Sequence, residues 1–186
     1  MRQPAPAVFI DRDGTLMEEV HYCRDAALVR LFEGVPDALH ALKNAGFKTV
    51  LVTNQSGIAK GIISPEDYET VHARLMELLG PDTLDAVYMS PEADGVPSTR
   101  RKPAPGMLFE AVRDLALDLS RSWMIGDKDI DVECGVNAGI PGILVRTGHG
   151  HAAHGRSARH IAATFAEATT WLLSHVSHAQ TEPLRA

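Results

Sequence analysis

The sequence has little cysteine, no long hydrophobic run and no excess of basic charge. Its two cysteines, Cys23 and Cys134, are too few for a disulfide framework or a four-cysteine zinc site. No apolar stretch approaches the roughly 18 residues of a transmembrane helix. Two prolines also interrupt the first ten residues, where a signal peptide would need an apolar segment. These absences predict reduced thiols, a cytoplasmic location and no membrane partner.

The charge balance is acidic, with 24 acidic against 18 basic side chains and a net charge of −6. A broad nucleic-acid footprint is therefore not expected. A small phosphorylated substrate remains compatible, because a few local donors and a metal ion suffice to hold it. A length of 186 residues predicts one domain over 1–186, with a core at about 7–176 and a flexible tail at 177–186. We expect a monomer.

Short apolar runs alternate with helical patterns along the chain, which favours an α/β fold with a mostly parallel sheet. Helices would cover both faces, giving three Rossmann-like layers. The segments between them at 90–104 and 147–160 are rich in Pro, Gly, His and charged residues and are predicted to be surface connections. Strands are predicted at 7–10, 48–52, 84–89, 123–125 and 142–145, and helices at 36–45, 65–79 and 105–117.

Polar clusters follow three of these strands directly, at Asp11 and Asp13, at Thr53 and Asn54, and at Asp127. Ligands of parallel sheets bind beyond the carboxyl ends of the strands, so the clusters should converge there. Gly14 allows the chain to turn after the first acid. One carboxylate can then attack phosphorus while the other acts as a general acid.

A divalent cation is implied by the same cluster, because Mg²⁺ favours carboxylate oxygens and Asp127 supplies a further one. Phosphoryl transfer also needs donors to the non-bridging oxygens, and Thr53 and Lys102 have suitable chemistry. Each residue alone carries little information. Their order along the chain indicates a phosphoryl-transfer site.

Four short motifs carry a resemblance to a known family: DRDGT at 11–15, TNQSGIA at 53–59, RKP at 101–103 and GDK at 126–128. They resemble the motifs of the haloacid dehalogenase superfamily of phosphotransferases. Within it they are most similar to the D-glycero-D-manno-heptose 1,7-bisphosphate 7-phosphatases of lipopolysaccharide precursor synthesis, with histidinol phosphatases as near relatives. Fewer than 40 residues separate the first two motifs and roughly 45 the next two, so neither gap readily holds a cap domain.

The resemblance implies a role for each matching position. Asp11 would be the nucleophile, and Asp13 would act as acid and then as base. Mg²⁺ would bind the carboxylates of Asp11 and Asp127 and the backbone carbonyl of Asp13. Asp131 would orient Lys128 or a metal-bound water. The remaining positions would stabilise the phosphoryl group (Thr53, Lys102), recognise the substrate (Arg101) or contact it otherwise (Glu19, Tyr22, Asn54, Gln55, Ser56, Lys128).

One departure from the family pattern lies before the RKP motif. Many heptose phosphatases carry a Cys-x-His and Cys-x-Cys zinc site there, whereas this chain has Ser90, Glu92, Ser98 and Arg100. Hydroxyl, carboxylate and guanidinium groups do not form a tetrahedral Zn²⁺ site of that kind. No structural zinc is expected.

Two alternatives remain open. The first is a histidinol phosphatase or another small phosphomonoester hydrolase. The second is a phospho-accepting signalling domain of receiver type, which also places acids at the ends of a parallel sheet. Asp13 disfavours the second, because an acid/base group speeds the loss of an aspartyl phosphate that a signalling domain must keep.

Overall fold

A computed structural model describes residues 3–179 and the side chains as far as residue 176. Its centre is a six-stranded, fully parallel sheet in the order β3-β2-β1-β4-β5-β6. The strands are β1 (Ala7–Ile10), β2 (Lys48–Asn54), β3 (Ala86–Ser90), β4 (Trp123–Gly126), β5 (Gly142–Val145) and β6 (His160–Ala162).

Residues 3–179 contain six α-helices, of which the first five connect strands and the last follows β6: α1 (Val35–Asn44), α2 (Ser56–Ala59), α3 (Pro65–Leu79), α4 (Gly106–Leu115), α5 (Asp129–Asn137) and α6 (Phe165–Ala179). Short 3-10 turns lie at Ala26–Leu28, Leu119–Arg121 and Gly148–His151. The tail predicted at 177–186 lies largely outside the described residues. Its first three residues belong to α6, so this helix extends into the segment predicted to be a tail.

Side chains alternate across β1 and divide the core into two layers. Val8 and Ile10 pack with α1, α3 and α6 on one face, where Leu39, Leu75 and Leu172 are buried. The opposite face is covered by α4 and α5 and includes these residues, all buried: Ala7, Phe9, Val50, Met107, Leu108 and Cys134. The arrangement confirms the predicted three layers.

Helix α3 begins where the sequence predicts. The Ser64 hydroxyl accepts the backbone N–H of Asp67 at 3.0 Å, and the Asp67 carboxylate accepts the N–H of Ser64 at 2.8 Å. This reciprocal cap stabilises the first turn. Val71 and Leu75 are fully buried against the sheet. The segment between the second and third motifs therefore covers the sheet, and residues 3–179 contain no separate cap domain.

The sheet has one strand more than predicted, because β6 falls partly in the segment expected to be a connection. Three residues give too short an alternation to mark a strand. Backbone pairing with β5 defines it instead, with His160 opposite Ile143. Among the described helices, none has the length and apolarity to cross a bilayer.

Candidate active site

The chain turns sharply after β1 and places two acids at the carboxyl edge. The N–H of Asp11 still donates to the carbonyl of Ile125 on β4 at 3.0 Å. Three residues later Gly14 adopts a φ of +84°, which L side chains rarely adopt. A Cβ at Gly14 would also overlap the carboxylate of Asp127. The predicted turn is confirmed, and its glycine is also required for close packing against Asp127.

Lys102 joins the third motif to this edge. Its ammonium lies 2.5 Å from Asp11 Oδ1, 2.7 Å from Asp131 Oδ1 and 2.8 Å from the Val52 carbonyl. The side chain is almost completely buried. Burial alone would lower the pKa of Lys102, but the carboxylates of Asp11 and Asp131 raise it above its ordinary value. Lys102 is therefore a fixed positive charge beside Asp11.

Asn54 holds the backbone of Lys102 in place. Its Nδ2 donates to the Lys102 carbonyl at 3.0 Å, and its Oδ1 accepts the Lys102 N–H at 3.0 Å. The side-chain nitrogen and oxygen of Asn54 thus both form hydrogen bonds with the backbone of Lys102. The structure gives Asn54 a clear positioning role, while the substrate contact expected of it stays a prediction.

Three carboxylates lie close together at this edge of the sheet, and two of them contact Lys102. Asp11, Asp127 and Asp131 each offer an oxygen, and these oxygens lie within 4.8 Å of one another. Burial, together with the negative charges of Asp11 and Asp131, raises the pKa of Asp127 to about 8. Burial likewise raises the pKa of Asp11 to about 6, although Lys102 opposes the shift. The cluster carries more negative charge than its lysine neutralises.

This cluster fits a hard divalent cation. Asp127 is fully buried, and its Oδ2 accepts the backbone N–H of His149 at 2.7 Å. Its Oδ1 is buried without a hydrogen-bond partner, which is costly unless another group binds it. Carboxylate oxygens are the donors that Mg²⁺ and similar ions prefer. Asp11 and Asp127, expected as ligands, are joined by Asp131, while the Asp13 backbone carbonyl stays a prediction.

The second acid of the DRDGT motif is held apart from that cluster. Arg12 donates to Asp13 through Nε at 3.1 Å and through Nη2 at 3.0 Å. Gln55 Nε2 lies 2.8 Å from Asp13 Oδ2 and 2.8 Å from the Thr53 hydroxyl. Gln55 therefore links the first two motifs. Three donors fix the Asp13 carboxylate in one orientation.

A cavity of about 250 Å³ lies beside Asp13. Glu19 lines one side of this cavity. The Glu19 Oε2 atom lies 3.3 Å from Lys128 Nζ and 3.4 Å from His149 Nε2. Six residues predicted to contact substrate line this cavity: Glu19, Tyr22, Asn54, Gln55, Ser56 and Lys128. The sequence-predicted contacts are thus brought together, with the exception of Arg101.

Arg101 lies outside the residues that line the cavity and faces the loop at 90–100. Its Nη1 donates to the Glu92 carbonyl at 2.9 Å, and its Nη2 pairs with the Asp94 carboxylate. The loop contains no zinc ligand set. Hydrogen bonds occupy those positions instead, since Ser90 donates to Glu92 and Ser98 Oγ accepts the Arg101 N–H at 2.9 Å.

Arg100 adds to these contacts by pairing with Glu110 of α4, at 2.8 Å between Nε and Oε1. The loop is thereby tied to helix α4 by an ion pair.

Sequence reasoning missed three contributions to this site. The sequence motif assigns no role to Arg12, yet its side chain is 1% exposed and donates two hydrogen bonds to Asp13. Asp131 was expected to act on Lys128; its Oδ2 does accept the Lys128 N–H at 2.9 Å, but Oδ1 also binds Lys102. The backbone N–H of His149, which donates to Asp127, lies in the segment 147–160 that is predicted to be a surface connection. The one sequence signal for any of these contacts is that a charged residue, Arg12, stands between the two acids of the DRDGT motif.

Comparisons with known proteins agree with this geometry. A family model described as HAD-hydrolase-like matches residues 99–170. A curated D-glycero-D-manno-heptose-1,7-bisphosphate 7-phosphatase from Thermosynechococcus vestitus is 40% identical over 193 residues, covering 94% of this chain and 98% of the relative. The chain belongs to the heptose-1,7-bisphosphate 7-phosphatase family. A second member, from Escherichia coli K12, is 39% identical over 158 residues, covering 80% of this chain and 83% of its own.

A solved structure in the heptose phosphatase family shares the fold. The D,D-heptose 1,7-bisphosphate phosphatase of B. bronchiseptica, crystallised with magnesium and phosphate, superimposes with a TM-score of 0.83 at 26% identity. The match covers 91% of this chain and 99% of that one. The sequence match to the Thermosynechococcus vestitus relative and the structural match to the B. bronchiseptica enzyme thus cover 94% and 91% of this chain.

Proposed function

We propose that this chain hydrolyses the 7-phosphate of D-glycero-D-manno-heptose 1,7-bisphosphate through an aspartyl phosphate on Asp11, in lipopolysaccharide heptose precursor synthesis. The substrate follows from the relatives, which carry this name at about 40% identity over most of the chain. The observation that carries the chemistry is the meeting of Asp11, Lys102 and Asp127 at one edge of the sheet.

Asp11 is suited to attack phosphorus because Lys102 lies 2.5 Å from one of its oxygens and favours the ionised form. Breakage of the phosphorus–oxygen bond to the sugar leaves an alkoxide that needs a proton, and Asp13 supplies it. Asp13 then takes a proton from the water that hydrolyses the aspartyl phosphate. Arg12 and Gln55 keep its carboxylate oriented through both steps.

Charge on the transferring phosphoryl group needs nearby donors. Lys102 supplies a buried positive charge, and the Thr53 hydroxyl supplies a hydrogen bond. Asp11, Asp127 and the backbone carbonyl of Asp13 would hold Mg²⁺. When bound, the ion would neutralise the carboxylates and the approaching phosphate. Asp131 would help to hold that charge balance by pairing with Lys102.

The proposal extends to what the chain binds. A phosphorylated sugar fits a cavity bordered by Glu19 and Lys128, which can bind hydroxyl groups and anions respectively. Residues 90–100 contain neither cysteine nor histidine, which supports a protein without structural zinc. A cytoplasmic monomer that binds neither nucleic acid nor membranes stays a prediction.

A phosphate-release screen tests this function. Heptose 1,7-bisphosphate, histidinol phosphate and p-nitrophenyl phosphate should be compared with Mg²⁺ present, using Asp11→Asn as the blank. We expect the highest kcat/KM for the heptose bisphosphate. A higher value for histidinol phosphate would favour the alternative phosphatase, and a stable phosphoprotein without turnover would favour a receiver-type domain.

A further inference from the structure

One histidine of the turn between β5 and β6 lies at the active-site cavity. His149 belongs to the 3-10 turn Gly148–His151 and is one of the residues that line the cavity. Its Nε2 lies 3.4 Å from Glu19 Oε2. The four sequence motifs end at residue 128, so this side chain reaches the cavity from a part of the chain that none of them covers.

The backbone of this turn is fastened to the catalytic edge of the sheet at two points. The Thr147 hydroxyl donates to the Gly14 carbonyl at 2.6 Å, and the N–H of His149 donates to Asp127 Oδ2 at 2.7 Å. Gly148 has a φ of +52°, and a Cβ there would overlap the Asp127 carboxylate. The turn has little freedom to move, because a shift would break both hydrogen bonds. The imidazole of His149 therefore leaves the backbone at a fixed point beside the cavity.

Glu19 Oε2 receives its other contact from the residue that precedes α5. Lys128 Nζ lies 3.3 Å from this oxygen, and the same ammonium is also attracted by the carboxylates of Asp11 and Asp127. Three acids thus share Lys128, so Lys128 alone does not fix the orientation of Glu19. His149 supplies the second contact that does. Because both contacts fall on Oε2, the Oε1 atom of Glu19 can accept a hydroxyl group of a bound sugar.

The exposure of His149 separates a role in the site from a role in the core. Its side chain is 56% exposed, whereas that of Glu19 is 21% exposed. Exposed polar contacts contribute little to stability, so replacing the imidazole should leave the fold intact. His151, two residues later in the same turn, is also exposed and is not one of the described residues that line the cavity. The turn therefore offers one histidine at the cavity and one matched control.

We propose that His149 is a positioning residue for substrate specificity, whose imidazole holds the Glu19 carboxylate so that Oε1 binds a hydroxyl group of the sugar. The inference rests on the proposed function, since it assumes a sugar phosphate in the cavity. His149 acts through Glu19 on the binding of the sugar, while the chemistry at phosphorus stays with Asp11 and Asp13.

Three variants of the full-length protein test this role. His149→Ala removes the contact with Glu19 and keeps the backbone N–H that donates to Asp127. His149→Gln retains a side-chain N–H group at a similar reach. His151→Ala changes the exposed histidine of the same turn and serves as the matched control. Heptose 1,7-bisphosphate is compared with p-nitrophenyl phosphate, which has no sugar hydroxyls, and thermal midpoints verify folding.

His149→Ala should raise KM for the heptose bisphosphate about tenfold more than KM for p-nitrophenyl phosphate, with kcat for the bisphosphate within about twofold of wild type. His149→Gln should recover most of this loss, and His151→Ala should match the wild type. In a Glu19→Ala background, His149→Ala should have no further effect on KM for the bisphosphate, because the carboxylate that it positions is gone. Equal effects of His149→Ala on the two substrates, or an undiminished effect in the Glu19→Ala background, would overturn the proposal.

Failure of the proposed function has a separate signature, namely that the wild type hydrolyses p-nitrophenyl phosphate but not the heptose bisphosphate. The bisphosphate and inorganic phosphate are then measured as competitive inhibitors of that reaction. The positioning role predicts that His149→Ala weakens inhibition by the bisphosphate about tenfold more than inhibition by inorganic phosphate. Equal weakening of the two, or no inhibition by the bisphosphate, would refute it.

Discussion

Replacing Asp127 by asparagine is expected to stabilise the metal-free protein while abolishing its activity. The substitution keeps the shape of the side chain and an oxygen that can accept the His149 N–H. The new amide N–H₂ can donate toward the carboxylates of Asp11 and Asp131. A buried negative charge is removed from a cluster in which Lys102 pairs with Asp11 and Asp131 and not with Asp127.

The magnitude follows from the spacing of the three acids. Oxygens within 4.8 Å of one another repel by about 3 kcal/mol per pair at an effective dielectric constant of 20. Asp127→Asn removes two such repulsions and also loses the attraction to Lys128, the cation that opposes the upward shift in the pKa of Asp127, which offsets roughly one of them. We expect a net gain of about 1–3 kcal/mol, or about 3–8 °C in Tm for a chain of this size.

The gain should depend on pH in a defined direction. The pKa of Asp127 rises from 3.8 to about 8 on folding, mainly through burial. The folded state thus holds this proton more tightly, and the cost of the acid is absent below pH 4 and grows up to pH 8. The Tm difference between Asp127→Asn and wild type should therefore be severalfold larger at pH 8 than at pH 5.

Differential scanning fluorimetry in EDTA and in excess Mg²⁺ measures these differences, with Glu77→Gln as an exposed acid-to-amide control. Mg²⁺ should raise the Tm of the wild type and have much less effect on Asp127→Asn. A variant that is less stable than wild type in EDTA at pH 8 would refute the charge argument.

Three further predictions concern the nucleophile, the metal and the zinc-free loop. Asp11→Asn should abolish phosphate release, and Asp13→Asn should lower it by roughly 10²–10⁴-fold, both with native circular dichroism; near wild-type release by Asp11→Asn would exclude it as nucleophile. EDTA should stop turnover, Mg²⁺ should restore it and Ca²⁺ should compete without supporting it, whereas full rates in excess chelator would contradict a metal requirement. Elemental analysis should find no stoichiometric zinc and zinc-selective chelators should leave Tm unchanged; one tightly bound zinc per chain would contradict the hydrogen-bonded loop.

The fold was predictable where local signals agreed. Helix α3 has a serine cap, a proline in its first turn and an apolar stripe, and it begins at the predicted residue. The short strand β6 has no comparable pattern and depends on a neighbour, β5, for its definition. Predicting β6 would have required knowing that this segment pairs with β5 at the edge of the sheet.

Some residues of the candidate site were likewise predictable from the sequence, and some of its contacts were not. Asp11 and Asp127 follow buried strands, so strand polarity alone brings them together. The contact between Lys102 and Asp131 joins positions 29 residues apart, and the clamp of Arg12 on Asp13 depends on how the turn buries a guanidinium. No periodicity encodes either contact. Such contacts are determined by tertiary packing.

Product identity is the most direct test of the central claim. Heptose 1,7-bisphosphate is incubated with the wild-type protein and Mg²⁺, and the products are resolved by phosphorus NMR, with Asp11→Asn as the control. The account predicts inorganic phosphate and heptose 1-phosphate from the wild type and unchanged substrate with Asp11→Asn. Accumulation of heptose 7-phosphate, or equal hydrolysis by Asp11→Asn, would contradict it.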